Sequence, residues 1–294
     1  MTVRKSASTG PSSPDVWGVH DADTGSIQYV AACPATRKAA IIDPVQDFDP
    51  AAARRGWSNA ERLLEIVDAE KLDVEWVLDT HPHADHLTAS FHLAEKLGAK
   101  TAIGEKVRDV AGLWRGYYGV GFDPAAHYGR LLKEGDTVSF GDLEAGVWLS
   151  PGHTLASITY LIGDAAFVHD TLMQPDSGTS RADFPGGSAE VLWESIQRIL
   201  SLPDDTRLFV GHDYPGKKRP EARWEASVAE HKASNIHLAG TSRADYVALR
   251  TGRDATLPLP DRMLAALQFN LRGGRPPEPD ADGHRRILIP LDRF

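Results

Sequence analysis

Apolar residues form several short, strand-like runs in the first half of the chain. SIQYVAAC (26–33) and AAIIDPV (39–45) are rich in apolar and β-branched residues, and the polar turn PATRK separates them, which predicts two neighbouring strands. VEWVLDT (74–80) predicts a buried strand and KTAIG (100–104) another. The first half of the chain therefore predicts a sheet.

Segments with helical spacing separate these strands. Apolar residues recur three and four positions apart between Asn59 and Leu72, with Ser58 as the expected N-cap and Glu61 as its capping-box partner. Residues 87–97 predict a second helix, which Gly98 ends. Strands that alternate with helices in this way indicate an α/β protein.

The second half predicts more strands with an antiparallel character, and then helices. Short polar or glycine turns separate the strand-like runs DTVSF, LEAGVWLS, SITYLIG and AAFVHD, and the helix AEVLWESIQRILSL and the strand TRLFVGHD follow. We predict one α/β (α+β) domain over 15–240. A helical extension with a Pro-rich, strand-like tail (241–294) is expected to pack on this domain, and 1–14, rich in Ser, Thr and Pro, predict a disordered leader.

Residues 105–135 break the pattern, because aromatic side chains and glycines replace regular apolar spacing there. A loop-and-helix insertion of this kind can cover a functional site as a lid. It can equally form a hydrophobic patch that packs on the sheet. The sequence favours neither interpretation.

Composition narrows the possible partners. The chain has 294 residues, 41% of them hydrophobic and 25% charged, as in an ordinary globular protein, and no apolar run approaches the roughly 18 residues of a membrane-spanning helix. The net charge of -9 argues against nucleic acid and favours small-molecule partners. A single cysteine, Cys33, excludes an internal disulfide and a thiolate metal cage, and it fits a reducing cytoplasm. The sequence leaves a homodimer open.

The segment THPHADHL (80–87) carries the strongest chemical signal. His81, His83, Asp85 and His86 fall within six residues directly after a predicted buried strand. One such histidine alone would more often be a solvated or structural residue. Four potential ligands on one strand-to-helix loop can converge on a point, and this pattern therefore predicts a metal site.

Three later residues at strand ends extend this set: His153 in SPGHT, Asp170 in FVHDT and His212 in FVGHDY. Together with the first cluster they provide five histidines and two aspartates, enough for two metal ions with a bridging carboxylate. Strand alternation predicts that His169 points away from the metal. On the ligand count alone, a binuclear zinc hydrolase ranks first.

The order H-x-H-x-D-H, P-G-H-T, strand-terminal Asp and G-H-D resembles the metallo-β-lactamase superfamily, whose fold is an αββα sandwich. Within it, the chain most resembles the persulfide dioxygenases, sulfur dioxygenases related to the ethylmalonic encephalopathy protein. The similar motifs are DTHPHADHLTAS, SPGHTLASITY, RADF (181–184), HDY (212–214) and NLRGG (270–274).

This resemblance implies one Fe(II) per chain, bound by His81, His153 and Asp170. Two histidines and a carboxylate on one face of an octahedron are the usual site of non-haem Fe(II) oxygenases, and they leave positions open for co-substrates. The reaction would oxidise a persulfide with O2 to sulfite and a thiol. The remaining candidates would orient ligands and waters or form a vacant second-metal site: His83, Asp85, His86 and His212.

The resemblance also implies a substrate site for glutathione persulfide, or a related small persulfide, at Arg181 and Tyr214. Two departures affect it. Asn-Ile-His (235–237) stands where the family has an Asn-Pro-Arg that contacts glutathione, and Gly273 stands where animal members have cysteine. The basic run 217–219 could replace the missing arginine, although such runs are commonly solvated turns.

Two other functions stay open. A binuclear zinc hydrolase of the glyoxalase II type would use all seven ligands and attack a glutathione thioester. A non-catalytic persulfide or metal sensor would need only binding. Histidine and carboxylate ligands accept both iron and zinc, so the ligands alone do not identify the metal.

Overall fold

The computed structural model describes residues 2–217 and 219–294. Its strands are, in chain order, β1 (Thr2–Ser6), β2 (Asp15–His20), β3 (Ile27–Ala32), β4 (Lys38–Ile42), β5 (Val45–Gln46), β6 (Phe48–Asp49), β7 (Arg54–Arg55), β8 (Asp73–Leu78), β9 (Leu87–Thr88), β10 (Lys100–Gly104), β11 (Arg130–Leu132), β12 (Thr137–Phe140), β13 (Leu143–Leu149), β14 (Ile158–Ile162), β15 (Ala165–His169), β16 (Arg207–Val210) and β17 (Glu225–Ser227). Its α-helices are α1 (Ser58–Ala69), α2 (Ser90–Leu97), α3 (Val107–Tyr118), α4 (Ala189–Leu200), α5 (Val228–Ser234), α6 (Arg243–Asp254) and α7 (Met263–Asn270), and Pro124–Ala126 form a short 3₁₀ helix. Met1 of the predicted leader and Lys218 of the basic run lie outside the described residues.

Two large mixed sheets form the centre of the fold. The first has the order β1-β2-β3-β4-β8-β10-β11 and the second the order β12-β13-β14-β15-β16-β17. Their facing sides share one apolar core, in which the Tyr29 ring lies 5.3 Å from Phe167 and 5.6 Å from Phe209. Helices α1 and α2 pack on the first sheet and α4 on the second. The predicted αββα sandwich is confirmed.

The predicted cap of α1 is wrong. Ser58 is the first residue of the helix and makes no cap, and Asp47 replaces it by accepting hydrogen bonds from the backbone N–H groups of Ser58 (2.6 Å) and Asn59 (3.2 Å). The second helix begins at Ser90 and not at Leu87, because β9 pairs with β5. Both differences arise from contacts between segments far apart in the sequence.

The disordered leader is also wrong for the described residues 2–14. Strand β1 pairs antiparallel with β2 along its whole length. The Lys5 ammonium lies 4.5 Å from the Trp17 ring centroid, and Ser8 N–H donates to Asp15. Charged side chains are common on an edge strand, because they prevent further strand pairing. The polar composition that resembled disorder belongs to an edge strand.

The aromatic segment 105–135 packs as a hydrophobic patch. Trp114 and Tyr118 on α3 are buried with Ala156 and Met263. A cavity lies beside His153, Asp170 and His212, and the described residues that line it include none from 105–135. The segment therefore does not form a lid over this cavity in the structure.

The C-terminal part holds α6 and α7, and the described residues after Asn270 form no strand, contrary to the predicted strand-like tail. Helix α6 packs against α4, and Ala266 and Phe269 of α7 are buried with Leu87. Within the part of the chain that the structure describes, every helix is too short or too polar to cross a bilayer.

Candidate metal centre

Strand ends and one loop bring the seven candidate ligands to one edge of the sandwich. The loop of His81 to His86 connects β8 to β9, and His153 lies in the loop between β13 and β14. Asp170 and His212 follow β15 and β16, which are parallel neighbours, so both residues emerge at the same sheet edge. Gly211 permits the close approach, because a Cβ there would lie 2.4 Å from Asp170 Oδ1.

His81, His153 and Asp170 converge on one point. Asp170 Oδ2 lies 3.6 Å from His81 Nε2 and 3.5 Å from His153 Nε2, and all three side chains are buried. Donors bound to one ion at about 2.1 Å lie roughly 3.0 to 3.5 Å apart. Within the part of the chain that the structure describes, His81 Nε2 has no hydrogen-bond partner, an unusual state for a buried polar atom that a metal ion would resolve. The residues therefore fit a metal ion.

Hydrogen bonds behind the two histidines fix their tautomers. Thr80 Oγ1 donates to Asp43 (2.8 Å) and so accepts from His81 Nδ1 (3.0 Å). His153 Nδ1 donates to the carbonyl of Arg181 (2.8 Å). Each Nε2 lone pair consequently faces Asp170. Burial lowers the pKa of both imidazoles, which keeps them neutral and able to bind a metal.

His212 and Asp85 form a second group that shares Asp170. His212 Nε2 lies 3.3 Å from Asp85 Oδ2 and 3.4 Å from Asp170 Oδ2. Burial alone would lower the pKa of His212, but the two carboxylates outweigh it and raise that pKa to about 10. This group could hold a second cation, with Asp170 as the bridge.

His83 and His86 lie next to these groups and are held by other side chains. His83 Nε2 is 3.1 Å from Asp43 Oδ1, whose charge outweighs burial and raises the pKa of His83 to about 9. His86 Nδ1 contacts Ser26 Oγ at 3.1 Å and Asp85 Oδ2 at 3.2 Å. His83, Asp85 and His86 together could also hold an ion.

A cavity of about 590 Å³ opens over the metal ligands. Such a volume accommodates a small organic molecule. Its walls are largely apolar, and three arginines reach it. The residues that line the cavity include Phe184, Tyr214, Leu257, Arg181, Arg250 and Arg253.

The two predicted substrate residues both line this cavity. Arg181 donates to Asp183 through Nε (2.6 Å) and Nη2 (2.7 Å) and to the Pro258 carbonyl through Nη1 (2.7 Å), so three of its N–H groups are engaged. Tyr214 is 58% exposed, and its ring is stacked with His212, with the hydroxyl 3.3 Å from Nδ1. Arg250 is paired with Asp254. Arg253 is exposed and forms no ion pair with any described residue.

His169 was predicted to point away from the metal. Its Nε2 lies 3.2 Å from Ser150 Oγ and 3.1 Å from Thr171 Oγ1, and the groups of candidate metal ligands do not include it. Sequence reasoning missed Asp43, whose carboxylate accepts from Thr80 and His83. An acidic residue at the end of a buried strand, in AAIIDPV, was the available signal. It also missed the contact of Asn270 with the metal-binding loop, for which the sequence holds no local signal.

The fold and the candidate metal ligands are those of a known protein superfamily. Residues 27–212 match the family described as the metallo-beta-lactamase superfamily, and the chain belongs to it. A "Beta-lactamase hydrolase-like protein" of Agrobacterium fabrum is 55% identical over 95% of this chain, which covers 65% of that relative's length. "Glyoxylase B2" of Dictyostelium discoideum is 36% identical over 87% of this chain and 90% of its own.

Within the superfamily, the chain is similar to persulfide dioxygenase proteins. The crystal structure of ETHE1 from Myxococcus xanthus superposes with a TM-score of 0.71, is 31% identical, and covers 94% of this chain and 100% of its own. "Persulfide dioxygenase ETHE1, mitochondrial" of Homo sapiens is 28% identical over 81% of this chain and 80% of its own. These similarities support the resemblance predicted from the motifs.

Proposed function

We propose that this protein is a persulfide dioxygenase, which oxidises glutathione persulfide or a related small persulfide with O2 at a single Fe(II). One observation carries the proposal: two neutral imidazoles and one carboxylate, from His81, His153 and Asp170, point at one position beside an open cavity. This donor set is the facial triad of non-haem Fe(II) oxygenases.

The overall reaction balances without a further reductant. The S–S bond breaks, the terminal sulfur gives four electrons to O2, and water supplies the third oxygen of sulfite, while the thiol and two protons are released. The iron would supply the redox chemistry. The protein's share is to keep His81 and His153 in the correct tautomer through Thr80 and the Arg181 carbonyl, and to provide a largely apolar cavity for the substrate beside them.

A specific observation favours a second function, a binuclear zinc hydrolase of the glyoxalase II type. Asp85, Asp170 and His212 form a second group that shares a carboxylate with the first. Two relatives have names that point to hydrolysis or glyoxalase chemistry. The persulfide motifs and the similarity to ETHE1 over nearly the whole chain favour the dioxygenase.

The test of the proposal follows O2 consumption and sulfite release in the same reaction with glutathione persulfide. We expect one sulfite for each O2 consumed, and no product under nitrogen. A parallel assay with a glutathione thioester tests the hydrolase. Thioester cleavage that is independent of O2, without any sulfite from the persulfide, would replace the dioxygenase with the hydrolase.

Arg181→Ala is expected to raise KM for glutathione persulfide about 10- to 100-fold, since a lost charge-assisted hydrogen bond is worth roughly 1.5 to 3 kcal/mol. Glutathione carries two carboxylates, and Arg181 retains N–H groups beyond the three already engaged. Steady-state kinetics at unchanged metal content measure the effect. An unaltered KM would remove Arg181 from the substrate site.

Arg253→Ala is the matched comparison for this measurement. Asp183 already compensates the charge of Arg181, whereas Arg253 reaches the same cavity without an ion pair among the described residues. If the rise in KM occurs only in Arg253→Ala, the substrate carboxylate is bound by Arg253. If a persulfide without carboxylates reacts equally well, glutathione persulfide is not the preferred substrate.

A further inference from the structure

Asn270, the last residue of α7, contacts the metal-binding loop from outside the matched superfamily residues 27–212. Its side-chain amide Nδ2 donates to the carbonyls of His83 and His86, both at 2.8 Å. Its Oδ1 accepts from Thr88 N–H, also at 2.8 Å. The side chain is 1% exposed, so these bonds form away from competing water.

These contacts matter because the loop has little regular structure of its own. His83 and His86 lie outside every described helix and strand, so their carbonyls have no ladder partner. A buried carbonyl without a partner is costly. The Asn270 amide satisfies both carbonyls at once and thereby fixes their separation.

The rest of NLRGG brings α7 close enough for this contact. Gly274 has a φ of +87°, and a Cβ there would lie 2.6 Å from the Thr88 carbonyl. The Gly273 carbonyl accepts from Phe91 N–H at 3.1 Å. On the other side, the Tyr128 hydroxyl lies 3.0 Å from the Asn270 carbonyl and 2.9 Å from Asp79 Oδ2. The motif therefore folds directly against residues 83–91.

We infer that Asn270 is a positioning residue of the metal centre: it holds the H-x-H-x-D-H loop in the shape in which its ligands converge. The inference is independent of which ion the centre binds and of which reaction it catalyses. The two hydrogen bonds from Asn270 Nδ2 go to backbone carbonyls and not to ligand side chains, so Asn270 acts through the loop backbone.

Helix α7 provides a matched control two residues away. Gln268 is 2% exposed, and its Nε2 donates to the carbonyls of Leu264 (2.6 Å) and Leu288 (3.0 Å), while its Oε1 accepts from Leu288 N–H. Asn270→Asp and Gln268→Glu are both isosteric, and both place a carboxylate against two carbonyls. Only the first change affects the metal-binding loop.

The experiment measures the affinity of the full chain for Zn²⁺ by competition with a chromogenic chelator, together with the melting temperature of each metal-free variant. We expect Asn270→Asp to weaken Zn²⁺ binding about 10- to 100-fold, the effect of losing an outer hydrogen-bonding partner. Gln268→Glu should lower the melting temperature and leave Zn²⁺ affinity within about twofold of the unmodified protein.

Asn270→Ala separates loss of the two hydrogen bonds from charge repulsion, and it serves if Asn270→Asp does not fold. Asn270→Ala should also weaken Zn²⁺ binding, as Asn270→Asp does. Equal losses of Zn²⁺ affinity in the Asn270 and Gln268 variants would reduce the role of Asn270 to general stability. Unchanged Zn²⁺ affinity in a folded Asn270 variant would also overturn the inference.

Discussion

His81→Ala, His153→Ala and Asp170→Ala are each expected to remove the bound metal and reduce persulfide oxidation to the background rate. The three donors surround one position at separations of 3.5 and 3.6 Å, so each variant leaves only two protein ligands. Asp170→Ala also removes one of the two carboxylates that lie close to His212 Nε2. Elemental analysis of the purified variants, with O2 uptake measured on the same samples, tests this prediction.

His86→Ala is the control for these variants. Its Nδ1 is held by Ser26 and Asp85, and the three-ligand group of His81, His153 and Asp170 does not include it. We expect this variant to keep about one metal ion per chain, as a facial triad requires. Loss of half of the bound metal would show that a second ion depends on His86, and the single-iron proposal would then be wrong.

The ligands could be predicted from the sequence because each follows an apolar strand-like run. The end of a buried strand is recognisable from local composition, and Asp170 and His212 follow two such ends. Strand and helix spacing are local patterns, and they predicted an α/β protein. The αββα sandwich itself was implied by the resemblance to the metallo-β-lactamase superfamily. The superposition on the crystal structure of ETHE1 from Myxococcus xanthus agrees with this fold.

The supporting contacts could not be predicted, because they join residues distant in the sequence. Asp47 caps a helix that begins eleven residues later, and Asn270 binds a loop that lies 184 residues from it at His86. Strand β1 has a polar composition, and it pairs with β2, which lies nine residues further along the chain. Spacing and propensity carry no information about such partners.

Reloading the metal-free protein with Fe(II) is expected to restore persulfide-dependent O2 uptake, whereas Zn²⁺ is expected to restore none. Two neutral imidazoles and a carboxylate bind either ion, so the protein's residues do not prevent zinc from occupying the site. Zn²⁺ has no accessible second oxidation state and cannot deliver electrons from sulfur to O2. The difference between the two ions should therefore be complete and not a matter of degree.

The measurement removes metal with a chelator, reloads separate samples with one ion under nitrogen, and records O2 uptake with glutathione persulfide. Each sample is also assayed with a glutathione thioester, and its metal content is determined, so that a failed reloading is recognised. Zinc samples that cleave the thioester while iron samples consume no O2 would assign the site to hydrolysis. The expected result is that iron samples consume O2 and release sulfite, while zinc samples are inactive toward the persulfide. This result would support redox chemistry at an iron ion bound by His81, His153 and Asp170.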